Sequence, residues 1–101
     1  MATAKKKQIP VLITTERRGI FFGFINPETR NERTLQLTMA RNCIYFAASV
    51  GGFMGLASKG PNKDCRIGAQ VDGVFTVHLV ECVIDVSPEA VKAWEAAPCV
   101  K

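Results

Sequence analysis

Histidine, tryptophan and tyrosine occur once each in this 101-residue chain, and nothing in it approaches the run of about 20 apolar residues that spans a bilayer. The longest uncharged stretch, residues 42–58, is interrupted by Asn42, Ser49 and the pair Gly51-Gly52, so a membrane-spanning helix is excluded. The apolar segment 9–13 is too short, and too soon followed by Glu16, for a secretion-signal core of roughly 7 to 15 residues. The expected location is therefore the cytoplasm.

Catalytic and metal-binding patterns are missing as well. No Gly-x-Ser-x-Gly, His-Glu-x-x-His, EF-hand, Rossmann or Gly-x-x-x-x-Gly-Lys-Ser/Thr motif occurs. Cys43, Cys65, Cys82 and Cys99 stand 22, 17 and 17 residues apart, which leaves no Cys-x-x-Cys pair, and His78 has no ligand partner nearby in the sequence. Four free thiols, no metal and no cofactor are expected. Glu81 and Asp85 share one face of a strand at a spacing of four, with His78 on the other face. They are read as solubilising charges and the chain as a non-enzyme.

What is present is a composition suited to one compact domain, 48% hydrophobic and 22% charged. It is placed at residues 9–98, between a basic tail (1–8) and a short C-terminal tail (99–101). The net charge of +4 is unevenly spread: residues 1–66 hold 11 basic and 4 acidic side chains, residues 67–101 hold 2 and 5. A basic half favours anionic partners, although three of its cations sit in the Lys5-Lys6-Lys7 tail.

Along the chain, Ile9, Val11 and Ile13 alternate as in a strand, with Pro10 near its start; Glu16 to Gly19 form a turn; and residues 20–25 form a second, aromatic-rich strand. Residues 26–33 read as a solvent-facing loop. In a third strand over 34–47, Leu35, Leu37, Met39, Cys43 and Tyr45 make one apolar face, and Arg41 falls on the same phase. A bulge at 40–42, two shorter strands, or an arginine held inward for a ligand each explain it. Residues 49–59 read as a short helix capped by Ser49 and stopped by Gly60-Pro61, with Gly51-Gly52 opening its first turn. Strands follow at 65–71 and 74–86, the latter changing phase near Val80 through a bulge or burial of both faces. Ser87-Pro88-Glu89 then starts a final helix with Ala90, Val91, Trp94 and Ala97 on its buried stripe.

The predicted architecture is α+β, a bent, mainly antiparallel sheet in the order β-β-β-α-β-β-α. The density of large apolar groups at Phe21, Phe22, Phe24, Phe46 and Phe53 predicts a homodimer or higher symmetric oligomer.

The strings VLITTERRGIFFG (11–23), ARNCIY (40–45), GGFMGLA (51–57), GP (60–61), CRIG (65–68) and VSPEAVKAWE (86–95) resemble a widespread family of small proteins of tailed bacteriophages and prophages. The chain departs from that family at Cys99-Val100-Lys101, where members tend to carry an aromatic residue after Ala-Pro. Accessory phage proteins commonly counter host defence, and the resemblance implies such a role in the host cytoplasm. Joined to the basic half, it gives the leading expectation: a non-catalytic protein sequestering a cyclic or phosphorylated nucleotide used as an immune signal. Arg41, Arg66, Lys59, Arg17 and Arg18 would pair phosphates, Gly51 and Gly52 would offer N–H donors, and Tyr45 or a phenylalanine would stack a base. Two alternatives stand beside it. One is an inhibitor of a host defence complex that uses an apolar patch rimmed by Arg17, Arg30 and Arg33; the other is a nucleic-acid binder that stacks bases on residues 20–25.

Overall fold

The computed structural model describes residues 8–16, 19–46 and 48–99. Six strands and two helices follow one another as β1 (Ile9–Thr15), β2 (Ile20–Ile25), β3 (Leu35–Tyr45), α1 (Gly52–Ser58), β4 (Arg66–Ile67), β5 (Val74–Val77), β6 (Val80–Asp85) and α2 (Pro88–Ala96). All strand pairings are antiparallel, in the order β4-β3-β2-β1-β6, with β5 also on β3. The protein is α+β, as its sequence pattern predicts.

β1 and β2 pair from Ile9↔Ile25 to Thr14↔Ile20, and the turn is closed by Thr15, whose N–H donates to Gly19 O and whose Oγ1 accepts from Gly19 N–H, both at 3.0 Å. Alternation in β1 then feeds two cores at once. Val11 and Ile13 join Ile25, Leu35, Leu37, Ala40, Val77 and Val80, a cluster made of strand residues alone. Leu12 faces the other way, with Phe22, Leu56, Ala57, Ile67, Val86, Ala90 and Trp94, where both helices pack. The strand-only cluster is fully buried at its centre because the sheet curls on itself, bringing Val77 of β5 and Val80 of β6 over β1. Along the path β6-β1-β2-β3-β5, α1 and β4 are inserted between β3 and β5.

Two non-glycine residues at positive φ make the curl. At Met39 (φ 51°) three steps along β3 oppose two along β2, since Phe22 faces Arg41 and Phe24 faces Thr38. This bulge lies slightly N-terminal to the expected 40–42. It turns Met39 outward, 41% exposed, and resets the phase so that Leu35 and Leu37 enter the strand core while Arg41 and Cys43 face the helices. The strand ends at Tyr45; Ala47 lies outside the described residues. At Leu79 (φ 59°) the predicted single strand over 74–86 breaks into β5, which pairs with β3, and β6, which pairs with β1. The change of phase near Val80 thus combines this corner with the expected bulge just after it, where Thr14↔Cys82 and Thr15↔Val80 set two steps of β6 against one of β1; it is not two-sided helix cover. The predicted strand at 65–71 is shorter, Arg66–Ile67. After it the chain runs beside β3, with Gly68 N–H donating to Asn42 O and Val71 N–H to Ala40 O, both at 2.9 Å.

The first helix also starts differently. Ser49 sits in a 3-10 turn, Ala48–Val50, and the residue before α1 is Gly51 (φ 85°), with no side-chain cap. The turn lies so close to the helix that a Cβ on Gly55 would fall 1.6 Å from Val50 O, a position only glycine can fill. Its end is as expected: Lys59 and Gly60 N–H groups both donate to Gly55 O, and Gly60 takes φ 84°. Ser87 caps α2, accepting from Ala90 N–H at 3.0 Å, and its hydroxyl also donates to Ser58 O at 2.6 Å, tying the start of α2 to the end of α1. Trp94 completes the joint, donating from Nε1 to Leu56 O at 3.0 Å and stacking on Phe22 with ring centroids 5.1 Å apart. Within the chain, the aromatic run of β2 stacks Phe22 on Trp94 and sets Phe21 edge-on against Phe75.

Because Ser87 serves both helices, Ser87→Ala should cost about 1 to 2 kcal/mol and lower the melting temperature by roughly 4 to 8 °C per kcal/mol. Calorimetric unfolding checks this. A change below about 0.5 kcal/mol, the size of an ordinary surface substitution, would mean the shared cap contributes nothing.

Candidate functional site

Arg41, the first of the predicted phosphate ligands, points inward and is buried, but what it meets is backbone. Its Nε donates to Gly68 O at 2.8 Å, and its Nη1 donates to Trp94 O at 2.8 Å and Ala97 O at 2.6 Å. Trp94 and Ala97 end α2, so the guanidinium sits at the negative pole of the helix dipole. Of the three sequence readings, the bulge holds and turns the arginine inward, where its partners are backbone carbonyls rather than a ligand. The Nε and Nη1 groups are committed to the fold, and no buried side-chain polar atom among the described residues lacks a hydrogen-bond partner.

The remaining candidates divide. Tyr45 and Arg66 are direct cross-strand partners at the outer end of β3 and β4; both are exposed, Tyr45 by 55%. Gly51 and Lys59 line a second feature, an open groove of about 670 Å³ over α1, shared with Ser49, Met54 and Asn62. Gly52 (φ 77°) begins α1 just beyond that lining. The two pairs are joined by the segments that lead from β3 into α1 and from α1 back to β4, so they lie on one insertion. Arg17 and Arg18 lie outside the described residues.

Asn62, which the sequence pattern did not single out, organises the returning loop. Its Nδ2 donates to Ser49 Oγ and its Oδ1 accepts from Asp64 N–H, each at 3.0 Å, and Cys65 N–H donates to its carbonyl at 3.1 Å. Its position after Gly60-Pro61 in a polar turn was the available signal.

The surface expected to carry Arg30 and Arg33 is not a basic rim. Arg30 pairs with Asp85 and Arg33 with Glu16, and the groove of about 530 Å³ there is also lined by Glu32 and Glu81. Carboxylates interleave with both arginines. His78 stands at the β5–β6 corner, its Nδ1 3.3 Å from Thr34 Oγ1.

Cys43 and Cys65 are half-buried, Cys82 and Cys99 exposed, and none of the four is disulfide-bonded. Burial, reinforced by neighbouring Cys65 and partly offset by the Tyr45 N–H, pushes the Cys43 thiol from 9.0 up to about 11, the opposite of an activated nucleophile. Among the described residues no group of three His, Cys, Asp or Glu is placed to hold a metal, and no helix is long and apolar enough to cross a membrane.

Residues 8–94 match the family model described as Domain of unknown function (DUF6948). The chain belongs to the DUF6948 family. No curated protein and no solved structure matches it. The DUF6948 match begins just before β1 and ends at Trp94, so it contains the whole curled sheet, the α1 insertion and the helix residue that Arg41 holds.

The Cys43 thiol gives this DUF6948 domain a signature at high pH. An unfolded thiol ionises near 9.0 and the folded one near 11, so its contribution to stability is complete below pH 9 and is lost as the pH rises towards 11. Denaturant midpoints measured from pH 8 to 11 should fall less steeply in Cys43→Ala than in the wild type. Parallel curves would contradict the raised thiol.

Proposed function

We propose that this DUF6948 protein is a phage-encoded, non-catalytic binding protein that counters host defence by sequestering a cyclic or phosphorylated nucleotide. The observation that carries the reading is the exposed Tyr45–Arg66 pair, which sets an aromatic ring beside a cation at the outer end of β3 and β4. A base stacks on the ring and a phosphate takes the guanidinium, which has no ion-pair partner among the described residues. Lys59 supplies a second cation from the neighbouring groove, and Ser49 and Asn62 supply polar contacts. Arg41 is not part of this surface. Nor are Arg30 and Arg33, whose acidic partners weaken the case for an inhibitor docking through a basic rim.

Calorimetric titration against cyclic di- and trinucleotides and cyclic ADP-ribose tests the proposal. A ligand of micromolar affinity is expected, with Tyr45→Ala removing about 1 to 3 kcal/mol of binding through lost stacking and Arg66→Ala about 1.5 to 3 kcal/mol, neither changing the melting temperature. No heat across the panel, or binding untouched by both substitutions, would sink it.

A further inference from the structure

One strand edge stands apart from the others. β5 is hydrogen-bonded to β3 from Leu35↔Val77 to Thr38↔Val74 and, among the described residues, to no strand on its far side. Free edges are ordinarily blunted by charge or proline, because their unpaired N–H and C=O groups recruit another strand. The other two outer strands carry such charges, Arg66 on β4 and Glu81 and Asp85 on β6. β5 reads Val-Phe-Thr-Val and has none. Val74 is 60% exposed at the edge of a polar groove shared with Thr34, Gln36 and Thr38. Met39 and Val71 are exposed close by, and a separate cleft of about 280 Å³ lined by Phe21, Ala40, Val71 and Phe75, together with Arg41 and Asn42, opens alongside.

We propose that β5 pairs antiparallel with β5 of a second copy of this chain across a two-fold axis, giving a homodimer that covers Val74 and the cleft beside it. A second copy is the fitting occupant because the edge complements itself. Asp72 and His78 flank β5 at opposite ends, so antiparallel pairing with the two-fold axis at Phe75 sets the Asp72 carboxylate, an acceptor, towards the ring N–H of the partner's His78. Two-fold pairing through β4 or β6 would instead bring like charges together. The main-chain bonds continue the sheet across the axis, and the exposed valines and Met39 supply the apolar burial that a four-residue edge lacks on its own.

Sedimentation equilibrium on the full chain tests this. The wild type should show twice the 11.0 kDa protomer mass at micromolar concentrations. Val74→Lys, at an exposed edge position, should remain folded by circular dichroism and dissociate at least about tenfold more readily; Thr76→Lys, also exposed, serves if Val74→Lys does not fold. Asp72→Lys should weaken the dimer, and adding His78→Glu should restore it by reversing both members of the contact. A wild-type mass of 11.0 kDa throughout, a dimer unmoved by a lysine on the edge, or a charge reversal that restores nothing would overturn the proposal.

Discussion

A buried cation ties the sheet to the end of the final helix. Arg41 leaves the middle of β3, crosses the helix-side core and binds three carbonyls from two places far apart in sequence: Gly68 in the segment after β4, and Trp94 and Ala97 at the α2 terminus. Removing the guanidinium would strand carbonyls at a helix end, and bonds to a charged donor carry roughly 1.5 to 3 kcal/mol each where neutral ones carry about 1. Lysine is no substitute, because one ammonium lacks the planar fork that reaches divergent acceptors. The arrangement depends in turn on the bulge at Met39, without which the strand's alternation would direct position 41 to the strand-only core.

That dependence explains the division of labour across the surface. The curl made at Met39 and Leu79 uses the strands to cover one another and leaves both helices for the opposite face, where Trp94, Phe22 and the Ser87 cap lock α1 to α2. Structure that is rigid for this reason can carry an insertion whose outer end is not buried. Tyr45, Arg66, Lys59 and the Asn62 loop are presented on that insertion, close to the clamp in sequence but taking no part in it.

Much of this was legible in the residues themselves. Period-two alternation located β1 and β2, the Ser-Pro-Glu string located α2, and Gly60-Pro61 located the end of α1, because each is a local stereochemical requirement. Arg41 announced itself as a polar residue on an apolar phase. Its partners did not, since backbone carbonyls have no sequence signature and two of them lie more than fifty residues away. The corner at Leu79 was hidden for a related reason: a leucine at positive φ is imposed by the tertiary pairing of β5 and β6 with different strands, against local preference. Ser49 looked like a cap by type, yet a 3-10 turn and Gly51 took that place. Of the candidate site, the Tyr45–Arg66 pairing needed the β3–β4 register, which the spacing between them could not supply.

The central claim is that the Arg41 guanidinium is a fixed internal clamp. Hydrogen exchange at its side chain, followed by nitrogen-resolved magnetic resonance, addresses that directly. The Arg41 Nε–H should be protected and exchange far more slowly than those of the exposed Arg33 and Arg66, in the absence of any ligand. An Arg41 Nε–H that exchanges as fast as theirs would show that the clamp is open in solution and contradict the account.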